Sequence, residues 1–391
     1  LQHKDTLIVK AELVDVLRQT QLWGDQYNRK LADLLEVQSE IAGEIAQHLE
    51  QKLGAGSGKR ASAKKTSTPS APAVNPEAYR LYLQGVHHAY LWKEESLRQS
   101  IDFFQRAISL DSGYAPSYSG LAYTLSMMGF YGFIPPKQAY TQAKATATKA
   151  LALDASIAEA YVALGWVAIY FDHDAAGAIR CFQRAVELKP DLAIAHHGYG
   201  MYLAVARRKE EGLAEILKAV ELDPLTALFQ AHHGWVLHCM GRDTEALVVL
   251  QAAMDVHPND YYVMRILLYA CKNAGRPELA LSIGERVAAM TTSKHQTLGI
   301  RAFAYAQAGE RQKAEALLAE MENESKLDTA SGYYKALTHA LLGQYEDALR
   351  WLEAAFSSGI GITAIINPEP IFDPLRSDPR FQALIANLGL T

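Results

Sequence analysis

The chain has 391 residues, 49% of them hydrophobic and 21% charged, enough for two or three ordinary domains or for one extended repeat array. Its formal net charge of -5 supplies no basic footprint of the size that phosphate neutralisation requires, so nucleic acid is not an expected partner of this segment. Cys181, Cys239 and Cys271 lie far apart without CxxC spacing, which excludes a disulfide framework and a cysteine-based zinc site, and no apolar run approaches the ~18 residues of a membrane helix.

The chain opens with Leu1 in a strand-like pattern rather than with methionine or a signal peptide, so it is expected to be a piece of a longer protein. Apolar residues alternate at Leu7, Val9, Ala11 and Leu13, the period of a half-buried strand, and a second strand through Leu22, Trp23 and Tyr27 is placed to pair with it. From Leu31 the period changes, and Leu34, Leu35, Ile41, Ala42, Ile45 and Leu49 continue the stripe of an amphipathic helix. The stretch LIVKAELVDV followed by QLWGDQYNRKLADLLEVQSEIAGEIAQHL resembles the closing part of the TolB-type amino-terminal domain that precedes repeats in many bacterial signalling proteins. The expected division is a partial α/β unit over 1–53 and a linker over 54–74. The linker sequence GAGSGKRASAKKTSTPSAPAV has no periodicity and too little apolar surface to offset its ordering entropy.

From Asn75 onward one period dominates. Small residues recur every 34 positions at Ala178, Gly212, Ala246, Ala280, Ala314 and Ala348; glycines do so at Gly241, Gly275, Gly309 and Gly343, and prolines at Pro190, Pro224 and Pro258. Gly200 and Gly234 share the interval. Two antiparallel helices of about 14 residues plus short turns fill such a unit, and their backbones come close only where side chains are small. The glycines fall where a first helix ends in a left-handed residue, and the prolines where a second helix must stop. The fold expected is all-α, hairpin stacked on hairpin.

AEAYVALGWVAIY followed by AIRCFQRAVELKP resembles the tetratricopeptide motif almost throughout, and the resemblance extends over about eight repeats beginning near Ala78, Ala115, Ala158, Ala193, Ala227, Tyr261, His295 and Thr329. It implies a superhelical solenoid over 75–356. Repeat one carries extra residues around Trp92 and repeat two about nine in MMGFYGFIPPKQ, so their inter-helix loops are expected to protrude. The last repeats are degraded, with Thr292 in place of proline and Lys335 at a normally apolar position. The remainder, 357–391, is expected to cover the exposed face of the last repeat. In it Ser377 or Asp378 caps a helix with Pro379 in its first turn, and Gly389 ends it.

In the resembled family certain positions of each first helix line the inner groove. The ninth position here reads Val86, Tyr123, Trp166, Met201, Trp235, Tyr269, Phe303 and Leu337. Such a row makes a greasy, rigid track for an amphipathic helix or extended peptide, with Trp166 and Trp235 foremost. The same rings can instead pack against the first helix of the neighbouring repeat. Glu159, His197, His238, Arg265, Lys272 and Asn273 are the polar groove candidates. The resemblance thus implies a protein or peptide partner for a bacterial chain of cytoplasm or periplasm. Capture of a chaperone's terminal carboxylate is disfavoured, because Val162, His197 and Arg265 stand where that mode uses Lys and Asn.

The pairs His87–His88, His196–His197 and His232–His233 point about 100° apart on a helix, which does not suit one metal ion. Asp172, His173 and Asp174 form the one short acid and histidine cluster, read as capping and solvation at a turn. There is no phosphate-binding glycine loop of Walker type, no GxSxG elbow and no kinase motif set. No catalytic role, cofactor or metal is therefore expected. The leading function is an interaction scaffold. The alternative is the regulatory or sensory part of a larger bacterial signalling protein such as a Ser/Thr kinase, a nucleotide cyclase or a winged-helix transcription regulator.

Overall fold

The computed structural model describes residues 74–91, 93–291, 293–322, 329–357 and 365–389, together with the backbone of 2–3, 6–15 and 20–30. The three short backbone stretches are β1 (Gln2–His3), β2 (Thr6–Asp15) and β3 (Thr20–Lys30), an antiparallel sheet in the order β1-β2-β3. Val9 pairs with Tyr27 and Leu13 with Trp23, with an irregularity after Leu13. The strand pairing expected from the alternation is therefore present. The helix expected from Leu31, the linker up to Ala73, Trp92 and Thr292 lie outside the described residues.

From Asn75 the described chain is a succession of helical hairpins. They are α1 (Pro76–Ala89) with α2 (Glu94–Leu110), α3 (Ala115–Phe130) with α4 (Pro136–Leu153), α5 (Ala158–Val167) with α6 (Ala175–Leu188), and α7 (Ala193–Val205) with α8 (Lys209–Leu222). Then come α9 (Ala227–Cys239) with α10 (Asp243–Val256), α11 (Tyr261–Ala270) with α12 (Pro277–Ala289), α13 (Lys294–Gln307) with α14 (Arg311–Glu322), and α15 (Thr329–Leu341) with α16 (Tyr345–Ser357). Each first helix packs on its own partner and on the first helix of a neighbouring hairpin. A 3-10 turn (Pro370–Leu375) and α17 (Pro379–Ala386) follow.

The small-residue series sits where the two helices of a hairpin touch. Ala178, Ala246, Ala280, Ala314 and Ala348 have no solvent-accessible surface. At Gly200 and Gly212 the backbones themselves meet: a Cβ on Gly200 would stand 2.9 Å from the Gly212 carbonyl oxygen, and one on Gly212 2.8 Å from that of Gly200. Elsewhere the small residues admit a large one. The Phe182 ring of α6 is clasped between Gly165 of its own first helix and Gly198 of the next, and a Cβ on either glycine would come within 2.6 Å of it. Burial of such a ring stabilises the stack by about 1.5–3 kcal/mol. Pro190, Pro224 and Pro258 each lie two residues past the end of a second helix.

Gly241, Gly275, Gly309 and Gly343 adopt φ between 66° and 80°, the left-handed ends expected of them. The series also reaches two earlier repeats without glycine: His173 (φ 52°) and Arg207 (φ 63°) occupy the same 34-residue register. Both carry a Cβ in a region that disfavours it. In repeat three the strain follows a π-helical turn (Ala168–Asp172) that lengthens α5. Asp174 then caps α6 by accepting from the Gly177 amide at 2.7 Å, and Asp172 pairs with Lys144, so the acid and histidine cluster serves the turn.

Two expectations change. The extra residues of repeat two do not make a protruding loop: α3 and α4 absorb most of them, and the short connection folds inward, with the Tyr131 and Tyr262 rings 5.5 Å apart across four repeats. Aromatic side chains at the tip favour burial over exposure. Lys335, at its apolar position, is 1% exposed because its ammonium lies 4.0 Å from the centroid of the Trp351 ring and donates to the Met321 carbonyl. Arg207→Gly is expected to raise stability by about 1 kcal/mol, as the left-handed penalty is relieved; urea titration of the variant against the parent chain measures it.

Candidate functional site

The inner face of the stack is built from first helices, because these are the shorter path around a superhelix and carry the ring row. Tyr123 comes from α3, Trp166 from α5, His197 and Met201 from α7, Trp235 and His238 from α9, Arg265 and Tyr269 from α11, and Phe303 from α13. None is more than 8% exposed. The rings interlock within and between repeats: Trp166 stacks on Tyr170 at 5.5 Å and edges onto Phe182 at 5.3 Å in its own repeat, while His197 stacks on His232 at 5.0 Å and Tyr269 meets Phe303 at 5.1 Å across repeats. The row is thus a packed wall rather than an open track. Of the other polar candidates, Glu159 pairs with Lys189, Asn273 donates to Asp243 at 3.1 Å, and Lys272 is exposed.

Two pieces of chain cover this wall. One is the end of α3 with the inward-folded connection that follows it, where Phe130 and Tyr131 close over Trp166, His197 and Arg265. The other is the carboxy-terminal segment, which was expected to cover the exposed face of the last repeat. It does touch that repeat, with Arg380 bridging both oxygens of Glu346 and Phe372 near Tyr333. It also runs back across the ends of α5, α7 and α9. Asn367 donates to the Val205 carbonyl at 2.9 Å, and Gly389 packs on the backbone of His173. Ile365 enters the space between the inner helices.

The strongest tie is ionic. His238, in the last turn of α9, contacts Asp243 at the start of α10 through Nδ1 and Glu369 through Nε2, the latter at 2.9 Å. His238 and Glu369 have no exposed surface and Asp243 only 5%. The helix ends favour this arrangement, with a cation at the carboxy terminus of α9 and an anion at the amino terminus of α10. Burial alone opposes a charged imidazole, but the Glu369 charge and the hydrogen bonds to both carboxylates outweigh it and hold His238 up to about 10. A buried cation between two carboxylates is an interlock whose members cannot be removed singly without leaving an unpaired charge.

Three further histidines of the inner helices contact polar partners. His196 is bonded to Glu215 at 2.6 Å and to the Pro190 carbonyl at 2.8 Å. His197 Nε2 and His232 Nδ1 share a hydrogen bond of 2.7 Å; burial presses His197 down to about 3 and His232 well below its usual value. Both are neutral. Among the described residues no group of three or more His, Cys, Asp or Glu side chains is placed to hold a metal ion, and no helix is long and apolar enough to cross a membrane.

Stacked helical hairpins with small-residue contacts at a 34-residue interval define a tetratricopeptide-repeat superhelical solenoid. No family model matches the chain. Transcriptional regulator HilA of Salmonella typhimurium (strain LT2) is 23% identical over 255 residues, covering 64% of this chain and 45% of that protein. Putative adenylate cyclase 3 of Rhizobium meliloti (strain 1021) is 27% identical over 166 residues, covering 41% of this chain and 27% of that protein. The chain thus spans less than half the length of these curated relatives. Among solved structures, the Cut9-Hcn1 hetero-tetramer of the APC/C is similar in fold, with a TM-score of 0.50 and 14% identity over 80% of this chain and 58% of that one.

Glu369, Asn367, Asp243 and Tyr131 were not singled out by sequence. One signal did exist for Glu369: a carboxylate inside the apolar run INPEPIF needs a partner if that run is buried. His238→Gln is expected to cost about 3–5 kcal/mol at pH 6, because two buried carboxylates lose their cation. His238 is raised from 6.5 to about 10, so its contribution is complete below pH 6.5 and declines as pH rises through about 10. The stability gap between parent and variant should therefore narrow from pH 6 to pH 10 in urea titrations.

Proposed function

We propose that this chain is a protein-interaction scaffold whose inner face holds polypeptide, and that residues 365–389 occupy that face until a partner segment of like chemistry displaces them. The observation that carries this reading is the way the segment is held. An apolar side chain, Ile365, enters between the first helices; an amide, Asn367, engages a free helix-end carbonyl; and a carboxylate, Glu369, reaches a buried cation. These are the elements by which a groove recognises a peptide: an anchor, a main-chain contact and a charge-assisted bond. In this reading the array over 75–356 is the receptor. Tyr123, Trp166, His197, Met201, Trp235, His238, Arg265, Tyr269 and Phe303 form its wall, with Trp166 and Trp235 the main apolar supports.

A second reading is compatible with the first. Both curated relatives are longer than this chain, and one is by name a transcriptional regulator and the other a putative adenylate cyclase. With the TolB-like stretch before the repeats, this favours the regulatory or sensory part of a larger bacterial signalling protein, the solenoid transmitting occupancy of its inner face to an effector domain. The reading frame upstream of the Leu1 codon tests it: an effector domain in frame supports the idea, and an adjacent stop codon removes it.

The scaffold reading is tested by exchange. A specific protease site placed within 358–364 allows the segment to be cut while the array stays folded. A labelled peptide of residues 365–389 should then replace it reversibly, and a peptide carrying Glu369→Gln should bind about 100-fold more weakly. If the cut chain keeps its helical circular dichroism yet no peptide concentration displaces the segment, the groove does not exchange occupants and the proposal fails.

A further inference from the structure

The wall and its two covers bound a partly open space of about 40 Å³ between α3, α5, α7, α9 and α11, lined chiefly by rings and aliphatic side chains. Of the polar side chains that line it, three keep a buried atom without a hydrogen-bond partner: Trp166 Nε1, His197 Nδ1 and Arg265 Nε. Trp166 is 5% exposed, His197 2% and Arg265 8%.

Arg265 is the decisive member. A guanidinium stays charged at any pH the fold tolerates, and burial of a charge is costly unless an anion or a full set of acceptors accompanies it. No carboxylate among the described residues pairs with Arg265; its guanidinium carbon lies 5.7 Å from the centroid of the Tyr262 ring. Of the other deeply buried cations, His238 is held by two carboxylates and Lys335 by a carbonyl and an indole face. Arg265 instead faces the partly open space beside the unpartnered Trp166 and His197 nitrogens.

His197 and His232 add no second charge, since both are held neutral. In the tautomer where His232 Nδ1 donates to His197 Nε2, the proton of His197 sits on Nδ1 and becomes a third donor beside the indole N–H and the guanidinium. The space therefore combines one fixed positive charge, neutral N–H donors and apolar walls.

We propose that this space is a binding site for a small monocarboxylate with a short apolar body, its carboxylate on Arg265 and its alkyl end among the rings of Trp166 and Trp235. The charge selects an anion, and the ring lining selects one with an apolar end over a fully hydrated inorganic ion. The volume restricts it to a few heavy atoms, the size of acetate or propionate. Because Tyr131 and Ile365 belong to the lining, such a ligand would also bind more tightly when both covers are closed. The site rests on the ring-lined space and its donors, and stands whether or not residues 365–389 exchange with a partner peptide.

The test is thermal denaturation and isothermal titration of the full chain with sodium propionate, propionamide and sodium chloride at constant ionic strength. Propionate should give a saturable rise in Tm, while propionamide, equal in shape and uncharged, and chloride give none. Arg265→Met should abolish the propionate response while leaving the fold at least as stable, since an apolar isostere removes the unpaired charge. Trp166→Phe, which keeps the ring and loses the N–H, should weaken propionate by about tenfold. Equal responses to propionate and propionamide, an equal response to chloride, or an undiminished propionate response in folded Arg265→Met would each overturn the assignment. Should Arg265→Met fail to fold, the comparison of the three solutes on the parent chain decides alone.

Discussion

The closeness that two helical backbones can reach governs this molecule. Where Gly200 meets Gly212, carbonyl oxygens stand where a methyl group would otherwise be, and the alanines 34 residues apart hold the later hairpins at similar contact. That approach sets the tilt between helices, and a constant tilt repeated along the chain turns a row of hairpins into a superhelix with an inner wall of first helices. Every feature of the wall inherits its position from that spacing: the ladder of rings, the buried histidine and the arginine beside the internal space. The glycine clasp around Phe182 shows the same rule inverted, with a large residue admitted because its neighbours are minimal.

The repeat architecture was legible because it is written locally. A 34-residue interval in alanine, glycine and proline reports hairpin contacts, helix ends and helix stops, each a near-neighbour event. Even the left-handed positions at His173 and Arg207 lie in that register, although glycine alone is too narrow a signal to find them. Lys335 looked like decay of the pattern and is a buried cation on an indole face, a substitution that keeps the volume and changes the chemistry.

The surroundings of the wall were much less legible. The residues of the inner row were identifiable from their helical position, but whether they faced solvent depends on contacts between residues 131 to 162 positions apart, such as Tyr131 with Tyr262, His238 with Glu369 and Val205 with Asn367. Periodicity carries no information at that separation. A lone carboxylate in an apolar run signals a buried partner without naming it, and an apolar insertion after α3 signals burial without saying where.

The backward course of the last residues has a mechanical consequence. A solenoid whose repeats touch only their neighbours behaves as an open spring, and either end can fray or stretch without the other sensing it. Here the final repeat is latched to the third, fourth and fifth, and the second leans on the sixth. The spring is closed into a clasp. Its coils gain long-range cooperativity, and a tug at one coil is felt by coils far along the chain.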